Sequence, residues 1–191
     1  MAEVVAETER LRLRTWDDAD VDEFIRHTNT PAVMRWLGGV WPLEQQLAAY
    51  ERVKAYERDL GHTFWIVERK SDGELLGLCG LKRVNSGGAP NPGDFEIGWR
   101  LREDTWGQGF AKEAATATMD LAFDRYQAPY VVALTVNQNE PSIGLMKRLG
   151  MVRRPDLDFE TTDAWAAALN PVIVYRLDAA DWPAARAAAL S

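Results

Sequence analysis

The sequence predicts an α+β fold of the α/β three-layer kind, in a single domain that covers residues 1–191. Three segments predict it: a β-hairpin at residues 63 to 84, an alanine-rich helix from about Phe110 to Arg125, and the strand YVVALTV (130 to 136) that follows. Apolar residues therefore recur with period 2 in some segments and with helical period in others. A chain of 191 residues is long enough for one domain with a proper core.

The first elements are a strand and two helices. RLRLRTW (10 to 16) alternates leucine with arginine, as a half-buried strand does. Three aspartates in residues 17 to 20 precede the next apolar positions, which indicates a capped helix start. EQQLAAYERVKAYERDL (44 to 60) has one apolar side and is predicted to be an amphipathic helix. The stretch WLGGVWP (36 to 42) between the two helices is expected to be an ordered loop.

The middle of the chain predicts neighbouring strands. TFWIVER (63 to 69) and LLGLCGLKRV (75 to 84) form the hairpin, with Asp72-Gly73 as the turn signal. NSGGAPNPGD (85 to 94) is rich in Gly, Pro and Asn and is expected to be an exposed loop. FEIGWRL (95 to 101) is the next strand.

The last third predicts two helices and two more strands. SIGLMKRLG (142 to 150) is a short helix closed by Gly150 at the C′ position. MVRR (151 to 154) and VIVYRL (172 to 177) are strands on either side of an acidic connection, and a short terminal helix follows.

Composition narrows the possible functions. The formal charge of −7 argues against general nucleic-acid binding, which needs a basic face, and mildly favours cationic substrates. One cysteine, Cys79, and two histidines make an internal disulfide impossible and a metal site improbable. The N-terminal residues are too charged for a signal peptide, and no apolar run reaches membrane-spanning length. We therefore expect a cytoplasmic protein that acts neither on a membrane nor on nucleic acid.

The stretch DTWGQGFAKEAA (104 to 115) places two glycines directly ahead of a helix. Glycine costs about 1 kcal/mol relative to alanine inside a helix, so Gly107 and Gly109 need a reason of their own. No Walker Gly-Lys-Ser/Thr is present, and Lys112 stands where a dinucleotide fingerprint needs a small residue. A generic turn and a phosphate-binding helix start remain. The second would require glycine because a Cβ would block the phosphate.

The order of four segments carries a family resemblance. Strand FEIGWRL, the stretch WGQGFAKEA, strand YVVALTV and then NQNEPSIGLMKRLGM together resemble the GNAT acyltransferase superfamily. The WGQGFA stretch and the spacing of Asn137, Asn139 and Ser142 are its most specific parts.

The layout of residues 7 to 177, with TERLRLR near its start and DGELLG in the hairpin, resembles the RimJ/RimL-type branch of that superfamily. Ala111 fits the superfamily pattern, and Trp106, where Gln or Arg is usual, is familiar in this branch. The resemblance implies a mixed sheet of about seven strands, splayed between the fourth and fifth strands and flanked by helices. It also implies acetylation of protein N-termini or small amines.

The resemblance implies acetyl-CoA as co-substrate and no metal. Backbone N–H groups of residues 107 to 111 would bind the diphosphate of coenzyme A. The pantetheine arm would lie between the splayed strands, with a backbone N–H near residues 97 to 99 facing the thioester. The residues expected to bind coenzyme A are Ile97, Gly98, Trp99, Trp106, Gly107, Gln108, Gly109, Phe110, Ala111, Asn137, Asn139 and Ser142. For Gly98 a strand bulge, a close ligand and a simple packing role are all possible.

Three side chains are candidates for catalysis. Glu96 shares a strand face with Gly98 and would act as general base through water, although an exposed strand glutamate is the alternative. By the resemblance, Asn139 contacts the pantetheine amide and Ser142 stabilises the thiolate; Asn139 could instead only cap a helix. Relatives use a tyrosine as general acid where this chain has Met146.

The acceptor site is expected along the acidic loop DLDFETTD. Asp158 and Glu160 would recognise a cationic amine or replace Glu96 as base, and Trp36 would line an aromatic pocket. Cys79 on a hairpin strand is predicted to be a packing residue.

The sequence thus predicts an N-acetyltransferase in which a primary amine attacks acetyl-CoA directly in a ternary complex. The alternative is a non-catalytic acyl-CoA-binding sensor. The amine acceptor and a possible homodimer are the expected partners.

Overall fold

The computed structural model describes residues 2–190 and has one sheet of eight strands. The strands are β1 (Val4–Glu7), β2 (Leu11–Arg14), β3 (Phe64–Arg69), β4 (Leu75–Arg83), β5 (Phe95–Leu101), β6 (Tyr130–Val136), β7 (Val152–Arg153) and β8 (Val172–Asp178). They lie in the order β1-β2-β3-β4-β5-β6-β8-β7. Neighbouring strands are antiparallel except β5 and β6, which are parallel.

Five α-helices lie within the described residues. They are α1 (Asp20–Thr28), α2 (Leu43–Leu60), α3 (Phe110–Asp120), α4 (Glu140–Arg148) and α5 (Trp182–Leu190). A π-helical turn, Leu121–Arg125, extends α3. Within residues 2–190, none of the helices combines the length and apolarity needed to cross a bilayer.

The predicted α+β fold, a mixed sheet flanked by helices, is confirmed, with two corrections. The sheet has eight strands where seven were expected, because the β1 residues VVAE do not alternate apolar with polar side chains. The two strands that part are therefore the fifth and sixth. The expected aspartate cap of α1 is also wrong: Ala19 is the cap residue, and the Asp20 carboxylate instead pairs with Arg14.

Helices cover both faces of the sheet. On one face, Phe110 and Met119 of α3 pack in the larger core with Trp65 and other residues of the central strands. On the other face, Phe24 of α1 packs against Ile66 and neighbouring apolar side chains. The adjacent residues Trp65 and Ile66 thus point to opposite faces, as the period of a strand requires. The sheet is the middle layer of three.

The parallel strands β5 and β6 are paired at one position, Glu96 opposite Val132. On its other side β5 pairs with β4 from Phe95 to Leu101 without a bulge. Beyond Glu96 the edge of β5 that faces β6 therefore has no strand partner, and the two strands move apart. This leaves a gap in the sheet between β5 and β6, and the candidate functional site lies at that gap.

Helix α4 ends as the sequence predicts. Gly150 has φ +81°, and its N–H donates to the Lys147 carbonyl, while the N–H of Met151 donates to the Met146 carbonyl. These two bonds are those of a Schellman motif, which needs a residue with positive φ at this position.

The start of α3 is attached to the N-terminal strands through Glu113. Its carboxylate accepts hydrogen bonds from Thr8 Oγ1 (2.5 Å), from the N–H of Arg10 (2.9 Å) and from Arg10 Nε (2.7 Å). Burial alone would raise the pKa of Glu113, but these hydrogen bonds lower it. The first turn of α3 is thereby fixed against the β1–β2 connection.

Replacing Glu113 with Gln should lower the free energy of unfolding at neutral pH by about 1–2 kcal/mol, because charged hydrogen bonds are lost. Since the folded-state pKa is lowered, this contribution is present above the unfolded pKa and disappears as pH falls through the folded value. Urea unfolding of both proteins from pH 7 to pH 3 would measure it. Glu9→Gln, an exposed neighbour, is the control, and an equal loss in both variants would contradict the prediction.

Candidate active site

The gap between β5 and β6 opens into a cleft of about 1900 Å³. Its walls come from the two parted strands, from the beginnings of α3 and α4, and from one side of α2. Most of the residues expected to bind coenzyme A line this cleft: Ile97, Gly98, Trp99, Trp106, Gly107, Gly109, Phe110, Ala111, Asn137, Asn139 and Ser142. The structure therefore brings residues of three sequence segments, 97–99, 106–111 and 137–142, together at one cleft.

The glycines ahead of α3 have left-handed backbones. Gly107 has φ +74° and Gly109, the residue that caps α3, has φ +84°. A Cβ on Gly107 would meet no atom within 4 Å, so conformation rather than crowding by the protein requires glycine there. Gln108 between them turns away from the cleft, since its side-chain amide donates to the Asp104 carbonyl and its own carbonyl accepts from Arg10. The coenzyme A contact expected of Gln108 is made by its backbone N–H, which neither of these hydrogen bonds uses, so it stays a prediction.

The turn leaves backbone donors at the mouth of α3. The first hydrogen bond inside the helix runs from the N–H of Glu113 to the Gly109 carbonyl, at 3.1 Å. The N–H groups of residues 110 to 112 therefore have no acceptor within the helix. These donors and the positive end of the helix dipole favour an anion.

Gly98 does not form a bulge, so that part of the expectation is wrong. The β4–β5 ladder is regular there, with Gly98 opposite Gly80. A Cβ on Gly98 would lie 2.9 Å from Cε1 of Phe64, so the ring of Phe64 occupies the space that a side chain would need. Gly98 is a packing glycine that also lines the cleft.

The start of α4 forms the opposite wall. Asn139 caps the helix: its Oδ1 accepts from the N–H of Ser142 at 3.4 Å, and its Nδ2 donates to Thr135 Oγ1 at 3.0 Å. Ser142 Oγ accepts a hydrogen bond from Trp99 Nε1 across the gap, at 3.3 Å. The hydroxyl proton of Ser142 remains available to a group in the cleft.

Glu96 lies at the point where the strands part. It is 9% exposed, lines the cleft, and has Lys82 Nζ 2.9 Å from its Oε2. Burial raises the pKa of Glu96, and the charge of Lys82 opposes that rise. Lys82 in turn donates to Asn85, whose amide donates to Tyr56. A carboxylate with a raised pKa in a cleft is a candidate general base.

The acidic loop, residues 156 to 163, lines the cleft only at its C-terminal end, through Thr161 and Asp163. Asp158 forms an ion pair with Arg153 and accepts from the N–H of Val174, so it ties β7 to β8. Neither Asp158 nor Glu160 lines the cleft; Asp163, farther along the chain, does. The expectation that Asp158 and Glu160 border the acceptor site is therefore corrected.

Trp36 does line the cleft, with the Arg35 guanidinium 4.7 Å from its ring centre.

The predicted packing role of Cys79 is confirmed: it is fully buried, and burial raises the pKa of its thiol to about 12. Met146, at the position where relatives have a tyrosine, is 1% exposed. Within residues 2–190, no three His, Cys, Asp or Glu side chains cluster as metal ligands would.

Sequence reasoning missed several residues that line the cleft: Tyr56, Phe64, Lys82, Asn85 and Arg100. Arg100 could have been found, because it shares the alternation of Glu96 and Gly98 along β5. Lys82 could not, because its position opposite Glu96 depends on the register of β4 with β5.

The two asparagines ahead of α4 allow a direct test of the cap. Asn139→Ala should lower the free energy of unfolding by about 1 kcal/mol, because a helix N-cap is lost. Asn137→Ala, two residues earlier, is exposed and should change it little. Denaturant unfolding of both variants would measure these changes. An equal loss of unfolding free energy in both would mean that the Asn139 cap does not stabilise the protein.

Comparison with known proteins agrees with this geometry. Residues 10–152 match the family model of the acetyltransferase (GNAT) domain. The uncharacterized protein YkkB of Bacillus subtilis (strain 168) is 33% identical over 145 residues, which are 75% of this chain and 83% of YkkB. The uncharacterized N-acetyltransferase p20 of Bacillus licheniformis is 29% identical over 74% of this chain and 79% of its own length.

Among solved structures, an acetyltransferase from Agrobacterium tumefaciens str. C58 is similar, with a TM-score of 0.75 and 27% identity over 90% of this chain and 92% of that one. The resemblance noted in the sequence is thereby confirmed. With three quarters of its length matched to the family model and a parted parallel strand pair at its centre, the chain belongs to the GNAT acetyltransferase family.

Proposed function

We propose that the protein transfers the acetyl group of acetyl-CoA to a primary amine, by direct attack of the amine in a ternary complex. The amine is a protein N-terminus or a small molecule, in keeping with the RimJ/RimL-type branch. The observation that carries the proposal is the single cleft that joins the free N–H groups of α3 to the buried carboxylate of Glu96.

The chain's own groups fit coenzyme A. Its diphosphate would accept hydrogen bonds from the N–H groups of residues 107 to 112, where the glycine backbones leave the approach open. The unpaired edge of β5 beyond Glu96 offers N–H and C=O groups to an extended amide-bearing arm, as an exposed strand edge does to a peptide. Asn139 and Ser142 lie on the facing wall and would meet that arm from the other side.

Acetyl-CoA brings the acetyl group as a thioester. Attack by a neutral amine forms a C–N bond, breaks the C–S bond and releases a thiolate. Glu96 would take the surplus proton of the amine through a water molecule, since its raised pKa makes it a stronger base than an exposed carboxylate. Ser142 would donate to the departing sulfur, because Trp99 already occupies one of its acceptor positions.

The glycine turn is tested by a matched pair of variants. Gly107 and Gly73 have nearly equal φ, +74° and +75°, and a Cβ on either would meet no atom within 4 Å. Each Gly→Ala change should therefore cost about 1 kcal/mol of stability. Only Gly107→Ala should raise the Kd of coenzyme A, by roughly tenfold, because the diphosphate loop is disturbed. Calorimetry with coenzyme A and with pantetheine would measure it, and equal affinities in both variants would remove the loop from the binding site.

The transfer reaction is tested by thiol release from acetyl-CoA with peptides and small amines. Glu96→Gln should lower kcat/KM by about a hundredfold. Lys82→Met should move the acid limb of the pH profile to higher pH, since it removes the charge that holds the pKa of Glu96 down. Lys147→Met, on the exposed end of α4, should change neither.

Unchanged profiles in the Glu96 and Lys82 variants would exclude Glu96 as the base. Tight binding of acetyl-CoA without thiol release for any amine would favour the acyl-CoA sensor instead.

A further inference from the structure

Arg100 lines the cleft, and its guanidinium has no acidic partner within residues 2–190. Arg100 is half-buried on β5, on the same strand face as Glu96. Its Nη1 is 3.6 Å from the sulfur of Met34, and its Cζ lies 5.2 Å and 5.8 Å from the rings of Phe24 and Trp41. In the described part of the chain, no oxygen accepts a hydrogen bond from this side chain.

This arrangement is costly for a charged group. A guanidinium has five N–H donors, and a buried one is ordinarily paired with a carboxylate. Burial lowers the pKa of Arg100 to about 10, so the group is still charged at neutral pH. Its surroundings of thioether and aromatic rings satisfy the charge only in part.

A buried donor without an acceptor lines the same small cavity as Arg100. Gln46 of α2 is 3% exposed, and its Nε2 has no hydrogen-bond acceptor among residues 2–190. Gln46 and Arg100 line one cavity of about 30 Å³. Its other walls are mostly apolar side chains, among them Val21 and Ile25. Buried donors without acceptors are rare in native proteins, and each one calls for a physical explanation.

The cavity adjoins the cleft. Arg100, Ala49, Val53 and Leu78 line both of them. A group on a substrate that occupies the cleft could therefore reach Arg100 and Gln46. A cavity of about 30 Å³ has room for one or two water-sized groups, such as the oxygens of a carboxylate.

Arg100 is the charged residue that lines the small cavity, whereas Arg35 and Arg52 line only the wider cleft. Three charged groups near the cavity and Glu96 already have partners. Lys82 is paired with Glu96, and Arg14 with Asp20 and Glu68. Asp18 accepts a hydrogen bond from Tyr50. An incoming anion would therefore meet an available guanidinium at Arg100, and it would not have to displace an internal carboxylate there.

We propose that Arg100 and Gln46 bind a carboxylate of the acceptor, so that the acceptor class is an amine that carries a carboxylate on the same molecule. This inference rests on the proposed acetyl transfer to an amine. A carboxylate would accept from the guanidinium fork and from the Gln46 amide together.

The strand geometry also sets the length of the acceptor. Glu96 and Arg100 are four residues apart on one strand, about 13 Å between Cα atoms. An amine held near Glu96 and a carboxylate held by Arg100 are then several bonds apart. A dipeptide or an ω-amino acid meets this requirement better than an α-amino acid.

Matched substrates test the proposal. Thiol release from acetyl-CoA would be measured with dipeptides and ω-amino acids, each as the free carboxylate and as the carboxamide, and with an amine that carries a phosphate. Wild type should prefer the carboxylate by about tenfold or more in kcat/KM. Arg100→Met should abolish that preference by lowering kcat/KM for the carboxylate only. Gln46→Leu should reduce it in part, and Arg58→Met, on the exposed face of α2, should leave it unchanged.

A binding measurement separates failure of this inference from failure of acetyl transfer. Calorimetry of an N-acetyl dipeptide in the presence of coenzyme A reads the anion site without turnover, and Arg100→Met should abolish that heat. Thermal unfolding without ligand checks the fold, and Arg100→Met should be at least as stable as wild type because an unpaired charge is removed.

Three outcomes would overturn the carboxylate site. Equal rates with carboxylate and carboxamide would mean that water fills the cavity, and a preference for the phosphate would assign a different anion. Carboxylate binding that survives in Arg100→Met would place the site elsewhere. If the N-acetyl dipeptide binds through Arg100 while no amine releases thiol, the transfer proposal fails and the anion site stands.

Discussion

The parallel pairing of β5 and β6 at a single position is the constraint on which the site depends. Each of these strands is followed by a helix, and because the strands are parallel, α3 and α4 both begin at the same end of the sheet. The N-termini of both helices, which carry the positive ends of the helix dipoles, therefore face the same gap. Antiparallel strands would have placed them at opposite ends. The same parting exposes the edge of β5 and leaves Glu96 where the strands still touch.

Charge in this protein is organised locally. A formal charge of −7 suggested a mild preference for cationic substrates. In the cleft, however, Glu96 is ion-paired with Lys82, and Arg100 has no acidic partner within residues 2–190. Of the acidic residues at positions 156 to 163, Asp163 lines the cleft, whereas Asp158 is engaged with Arg153. What a cleft can bind depends on which of its charged groups lack a partner. The net charge of the protein gives no information about that.

Sequence reasoning was accurate where short-range pattern determines structure. The strands at residues 95–101 and 130–136 have the predicted bounds, and positive φ values at Gly107, Gly109 and Gly150 are local requirements of the chain. It failed where the outcome depends on distant segments. Gly98 is small because Phe64 of β3 packs over it, and nothing near Gly98 in the sequence shows this.

The burial of Cys79 has a practical consequence for assays. It is the only cysteine in the chain, and it lies on β4 with its sulfur 3.4 Å from Thr118 Oγ1 of α3. Its high pKa keeps the reactive thiolate scarce. A chromogenic disulfide reagent added to the folded enzyme would therefore register sulfhydryl groups from the co-substrate with almost no background from the polypeptide. Colour from the protein itself would signal unfolding, so one cuvette can follow turnover and integrity together.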